Sequence, residues 1–152
     1  MSVVKVTLND GTTNLELHPP QFTVRDHYDV YKVGPSVGRD LPVAGSDGDL
    51  GRDRRRGPLP VTLRNVFVNG RSNPDGSAAA DPRTNLRTLL RQVTTWLEDG
   101  PRRLTMTVED GTVTLTAAVT FEDMSGIRGI GSDLAEFDLL FTVAAGRFEE
   151  SS

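Results

Sequence analysis

His18 and His27 are the only histidines of the chain, separated by nine positions with Pro19-Pro20 between them. That separation gives no common helical face and no metal-ligand spacing, so ordinary surface or strand-end positions are expected for both. Cysteine is absent, which removes disulfides, thiolate metal sites and cysteine nucleophiles together. No G-x-S-x-G elbow, Walker loop or H-E-x-x-H pair occurs. The run Gly126-Ile127-Arg128-Gly129-Ile130-Gly131 has the look of a phosphate loop. The residues from Asp133 to Val143 alternate at period two, however, so the helix N-terminus that phosphate binding needs is missing and a flexible β connection is expected. The acidic pairs Glu98-Asp99, Glu109-Asp110 and Glu122-Asp123 fall at the ends of elements, where turn and cap duty accounts for them. No catalytic, cofactor-binding or metal-binding residue is assigned, and an enzyme is not expected. His27 and Asp29 are the first side chains to test for one.

The sharpest charge feature is Arg52-Asp53-Arg54-Arg55-Arg56, strongly basic in a chain of formal net charge −4. Its readings are a solvated loop, a docking contact with an acidic protein surface, or a nucleic-acid contact. Guanidinium forks suit carboxylates on a neighbouring subunit. No aromatic residue interleaves the arginines to stack on bases, and the acidic overall balance disfavours nonspecific phosphate binding.

The elements that must position these residues are mostly strands. The 152 residues suffice for one domain, 1–152, and the 15 glycines and 9 prolines point to turns and loops rather than a helical bundle. Val4, Val6 and Leu8 alternate up to Asp10-Gly11, and Thr13, Leu15 and Leu17 return at the same period. A two-residue loop there pairs Val6 with Leu15 and Val4 with Leu17. Phe22, Val24, Tyr28 and Val30 suggest a further extended stretch, and Val61 to Val68 reads as a strand ending at Asn69-Gly70. Arg71 to Ala80 reads as a soft connector. A helix is predicted over about residues 82–98: Asp81 caps it, Pro82 opens it, Gly100-Pro101 stops it, and Leu86, Leu89, Leu90, Val93 and Leu97 form its stripe with Trp96 at the edge. A second hairpin, with Asp110-Gly111 as its loop, pairs Val108 with Val113, Met106 with Leu115 and Leu104 with Ala117. Glu122 to Asp133 reads as a glycine-rich loop, Phe137 to Val143 as the last strand, and 147–152 as a polar C-terminal tail.

Residues 34–60 form a long irregular loop almost without apolar periodicity, and a connection of that length is either disordered or functional. The predicted fold is mainly β, an antiparallel β-sandwich or barrel with one flanking helix. No apolar run approaches the ~20 residues that span a bilayer, and the alternating N-terminus shows no signal peptide, so a soluble protein without membrane contact is expected.

This succession is similar to a known family. The N-terminal hairpin, the loop from Leu41-Pro42-Val43-Ala44-Gly45-Ser46-Asp47-Gly48 to Gly57, Val61-Thr62-Leu63 and the N-L-x-x-L-L helix of Asn85 to Leu90 resemble the N-terminal domain of distal tail proteins of long-tailed bacteriophages. The closing hairpin at Leu104-x-Met106 and Val113-x-Leu115-x-Ala117, with the strand Phe137 to Val143, fits as well. The family shares its fold with major tail-tube subunits and some tail-completion proteins. The resemblance implies a structural virion protein of the tail, made in the host bacterial cytoplasm, without a cofactor. It implies a hexameric ring that joins the tail tube to the baseplate or tip and passes the genome through its channel without specific binding. The long loop then contacts an adjoining ring, with Arg52, Arg54, Arg55 and Arg56 meeting acidic residues there. Major tail-tube or tail-completion subunit is the alternative, and a small carbohydrate- or nucleic-acid-binding β-sandwich the second. The carbohydrate-binding or adhesive C-terminal domain common in the family is not expected here, and direct host binding is therefore not implied.

Overall fold

Alternating apolar residues dictate the strands, and their pairing builds one sheet. In a computed structural model, which describes residues 4–37, 55–99 and 103–151, the strands are β1 (Val4–Asn9), β2 (Asn14–Leu17), β3 (Phe22–Asp26), β4 (Ser36–Val37), β5 (Arg55–Arg56), β6 (Leu59–Asn69), β7 (Arg103–Asp110), β8 (Val113–Gly129), β9 (Leu134–Val143) and β10 (Glu149–Ser151). An antiparallel eight-stranded sheet runs in the order β2-β1-β7-β8-β9-β6-β3, with β10 alongside β8. It is not closed into a barrel. Strand β3 at one end lies near β1 and β2 at the other, so the curled sheet wraps a single core. Val6, Leu8, Val61, Leu63, Met106, Phe137 and Phe141 are fully buried there.

The helix α1 (Pro82–Asp99) matches the predicted span to one residue. Its cap is the expected one: the Thr84 amide and hydroxyl both donate to the Asp81 carboxylate, at 3.3 and 2.8 Å. Leu86, Leu89, Val93 and Leu97 join the core, and the Trp96 indole N–H donates to Thr13 Oγ1. Gly70 lets this helix start close to the sheet, since a Cβ there would lie 2.5 Å from the Pro82 carbonyl and 2.8 Å from that of Asp133.

Both hairpin registers differ from prediction by two residues. Val6 pairs with Leu17 and Leu8 with Leu15. The cause is Asp10, whose carboxylate accepts the Thr12 and Thr13 amides and folds a four-residue loop instead of a two-residue one. In the second hairpin Val108 pairs with Leu115, Met106 with Ala117 and Leu104 with Val119. Asp110 is still paired, opposite Val113, and the loop is Gly111-Thr112, with Gly111 at φ 66. A two-residue shift leaves every side chain on its predicted face, which is why the core is right although the partners are not.

Two stretches expected to be irregular are ordered, and so are the described ends of a third. The supposed loop from Glu122 continues β8 to Gly129, with register shifts between Phe121 and Asp123 and between Ser125 and Arg128. Arg128 holds that hairpin by donating to the Gly126 carbonyl, Asn65 Oδ1 and the Glu136 carboxylate. The tail at 147–152 is not merely polar: Phe148 is buried and β10 pairs with Thr114 to Thr116. Of 34–60, Leu59 and Pro60 belong to β6, and Ser36–Val37 pairs with Arg55–Arg56 as an antiparallel ribbon. Residues 38–54, Arg52 and Arg54 included, lie outside the described residues. The extended stretch predicted around Tyr28 is instead a 3-10 turn, Tyr28–Tyr31.

Candidate functional site

The 3-10 turn determines what this region presents. Three residues per turn bring Tyr28 and Tyr31 onto one edge, where they are 65% and 48% exposed, while Val30 and Asp29 turn inward and are buried. Val33, 53% exposed, extends the same stretch. The tyrosine rings lie 6.4 Å apart, and Tyr28 stacks on His27 at 4.6 Å between centroids. Two tyrosines and a valine on adjoining residues make an apolar patch with polar tips, the composition of a contact surface rather than of a catalytic cleft.

A polar network fixes the platform to the sheet. His27 Nε2 donates to Asp110 Oδ2 at 2.8 Å, and the Tyr31 hydroxyl donates to the same oxygen at 2.7 Å. The Nδ1 atom of His27 is buried without a partner among the described residues. Asp110 is thus held below the ordinary carboxylate range, first by the Tyr31 hydrogen bond and then by His27. The same carboxylate pushes the Tyr31 phenol up to about 12. Burial pushes Asp29 up, but it accepts from Lys32 Nζ at 2.9 Å, the Thr62 amide at 3.0 Å and Arg64 at 3.2 Å, and these together bring it below its usual value. The contacts of Asp29 with Thr62 and Arg64 tie the turn to β6, and those of His27 and Tyr31 with Asp110 tie it to the end of β7. Lys32 and Arg64 stand at its rim.

The β4–β5 ribbon rises beside this platform. Gly34 N–H donates to the Gly146 carbonyl at 2.7 Å and Gly57 N–H to the Pro35 carbonyl at 2.6 Å. A Cβ at Gly34 would overlap the Gly57 carbonyl oxygen, so only glycine lets the two ends of the long segment close so tightly. Arg55 and Arg56 therefore sit on a hydrogen-bonded stem opposite Val37 and Ser36. Arg52 and Arg54 follow outside the described residues.

The histidines are not brought together. His18 lies 3.4 Å from Glu16, whereas His27 is buried against Asp110 and is a strand-end residue of the interior rather than of the surface. His27 and Asp29 engage separate partners. The sequence reading missed the platform. The signal that could have found it is the Tyr-x-x-Tyr spacing just before Gly34-Pro35, which as an alternating strand would have put the two rings on opposite faces.

No family model and no curated protein matches the chain. Two solved structures do, both of the phage p2 baseplate in its activated conformation, one with Sr and one with Ca. Each aligns over 93% of this chain with a TM-score of 0.66 and 12% identity, and covers 44% of the other chain. What the chain shares with them is the fold. It spans less than half the length of the chains it matches.

Proposed function

We propose that this protein is a structural component of a bacteriophage tail or baseplate: a distal-tail-like subunit that forms a hexameric ring joining the tail tube to the baseplate or tip. The observation that carries the reading is the fold likeness to phage baseplate chains over nearly the whole of this one. A ring subunit needs rigid contact surfaces and no turnover. The Tyr28 and Tyr31 platform fits that need, because the Tyr31 hydrogen bond and the stacking of Tyr28 on His27 hold the rings in place before any partner arrives and so reduce the ordering cost of association. The role is structural rather than enzymatic, since His27 and Asp29 are committed to holding the turn. The ribbon with Arg55 and Arg56 is the base of the segment that reaches an adjoining ring, and the genome passes through the channel without specific contacts. Its place is the virion tail, after synthesis in the host cytoplasm.

Mass in solution together with imaging of the purified protein tests this. Rings, formed alone or when nucleated by a neighbouring tail component, are expected. Long polymers with an axial repeat would identify a tube subunit instead, and a monomer that joins no tail component would contradict both.

A further inference from the structure

The outer face of α1 carries an ordered charge pattern. Leu86, Leu89, Val93 and Leu97 are buried against the sheet, while Arg83, Arg87 and Arg91 lie exposed at four-residue intervals along the other side, spread over about 12 Å. Glu98, seven residues beyond Arg91, continues the same row, and beside it the exposed Glu122 and Asp123 line a groove at the end of the helix. Arg64, Arg71 and Arg128 each hold a carboxylate. Among the described residues Arg83, Arg87 and Arg91 form no ion pair, Glu98 and Glu122 meet no cation, and Asp123 accepts only the Met124 amide. Beyond the cap at Asp81 the signs also run against the helix dipole, which favours anions in the first turn and cations in the last. The first turn has no acidic residue and holds Arg83; the last has no basic residue and holds Glu98. Such charges bring the isolated chain no gain from pairing or from the dipole.

Between the two signs the helix presents a shallow depression lined by Thr88, Arg91, Gln92, Thr95 and Trp96. Its floor is held in place: the Trp96 indole N–H donates to Thr13 Oγ1 at 3.2 Å and the Thr88 hydroxyl to the Thr84 carbonyl at 2.9 Å. We infer that this face docks on the same face of a second copy of the chain, the two α1 helices antiparallel about a two-fold axis through the depression near Gln92. Charge selects the occupant, because the order basic, neutral, acidic is complementary to itself reversed. Antiparallel helices set each arginine row along Glu98 and the Glu122–Asp123 rim of the other copy, with Arg87 nearly level with Glu98, whereas parallel helices would oppose like charges. The aliphatic stems of Arg91 and Gln92 cover the middle beside Trp96. One patch serves both copies, so the contact is isologous and stops at two. It is therefore distinct from the head-to-tail contacts of a ring and does not depend on the ring reading.

Sedimentation of the full-length chain over a concentration series, beside two charge-swapped forms, tests this. One form carries Arg83→Glu and Arg87→Glu, the other Glu98→Arg and Glu122→Arg, all at exposed positions. Each alone should weaken pairing about tenfold or more, while the melting temperature of the dilute chain holds or rises, since the changes at Arg83 and Glu98 supply the sign the dipole favours. Mixed in equal amounts the two forms should pair again, because each reversed charge then meets its opposite. With no native cysteine in the chain, Gln92→Cys should be joined to its own counterpart in a second copy by a short bismaleimide, and the Arg83→Glu, Arg87→Glu background should abolish that link. Swapped forms that pair as well as the unsubstituted chain, or a mixture that stays apart, would overturn the inference. Rings whose Gln92→Cys copies do not link would overturn it and leave the ring reading standing, and pairs without rings would do the reverse. A chain that never pairs but binds duplex DNA, and loses that binding with the arginine swap, would assign the row to nucleic acid and overturn the inference.

Discussion

The β6–β9 core and the platform around Tyr28 both use aromatic residues beside buried polar backbone, and they use them in opposite directions. In the core, Phe137 and Phe141 face inward among Val61, Leu63 and Leu139, all fully buried. In the platform two polar side chains, His27 and Asp29, are buried beside Val30, while the aromatic ones face out. A fold that needed only stability would have reversed the second arrangement, since burying a Tyr ring is favourable and burying a carboxylate costs free energy unless every lone pair is satisfied. The difference separates residues that make the sheet from residues that present a surface, and each change below either blurs or sharpens that division.

The largest effect belongs to the core. Phe141→Ala, at the crossing of β6, β8 and β9, should cost about 3–5 kcal/mol of stability, measurable by urea denaturation. Next comes Asp29→Ala, which leaves the half-buried Thr62 amide without its acceptor and should cost about 1–3 kcal/mol. A cost near zero would mean that the platform is not tied to the sheet through this carboxylate.

The same group predicts a pH dependence. Asp29 and Asp110 titrate below their ordinary range in the folded protein, so their stabilisation is complete above the unfolded carboxyl pKa of about 3.9 and is lost as pH falls through the lower folded values. Asp29→Asn should flatten the acid limb of a melting-temperature profile. Tyr31 has the opposite sign. Its pKa is raised to about 12, so its contribution is present below about 10 and disappears as pH rises through the folded value. Tyr31→Phe should remove that alkaline component. Smaller still is Asp81→Ala, which loses the helix cap and should lower the melting temperature by about 2–4 °C.

How much of this was legible follows from the same division. The alternation at Val6, Leu8, Met106, Val108, Phe137 and Phe141 reports a face, and the face was read correctly. It does not report which residue opposes which, because a shift of two leaves the pattern unchanged. The registers depended on Asp10 accepting two amides and on Asp110 staying in the ladder, neither of which periodicity records. The helix was legible because its signals are local: Asp81, Pro82 and the three-and-four spacing of its leucines. The β8 extension and β10 were hidden because glycines and charges mask strands whose ordering comes from distant partners, Asn65 and Glu136 for Arg128 and Thr114 to Thr116 for the C-terminus. Of the proposed interaction surface, the arginine run was visible in composition. The platform was not, since a 3-10 turn changes which residues share an edge.

Stability and assembly should come apart in a single variant. With Arg54, Arg55 and Arg56 all replaced by Ser, thermal melting and mass in solution can be followed on the same sample beside the unsubstituted chain. The expected result is a melting temperature within about 2 °C of the original, together with a shift from assembled to smaller species. A large drop in melting temperature, or unchanged assembly, would contradict the assignment of this segment to contact between subunits.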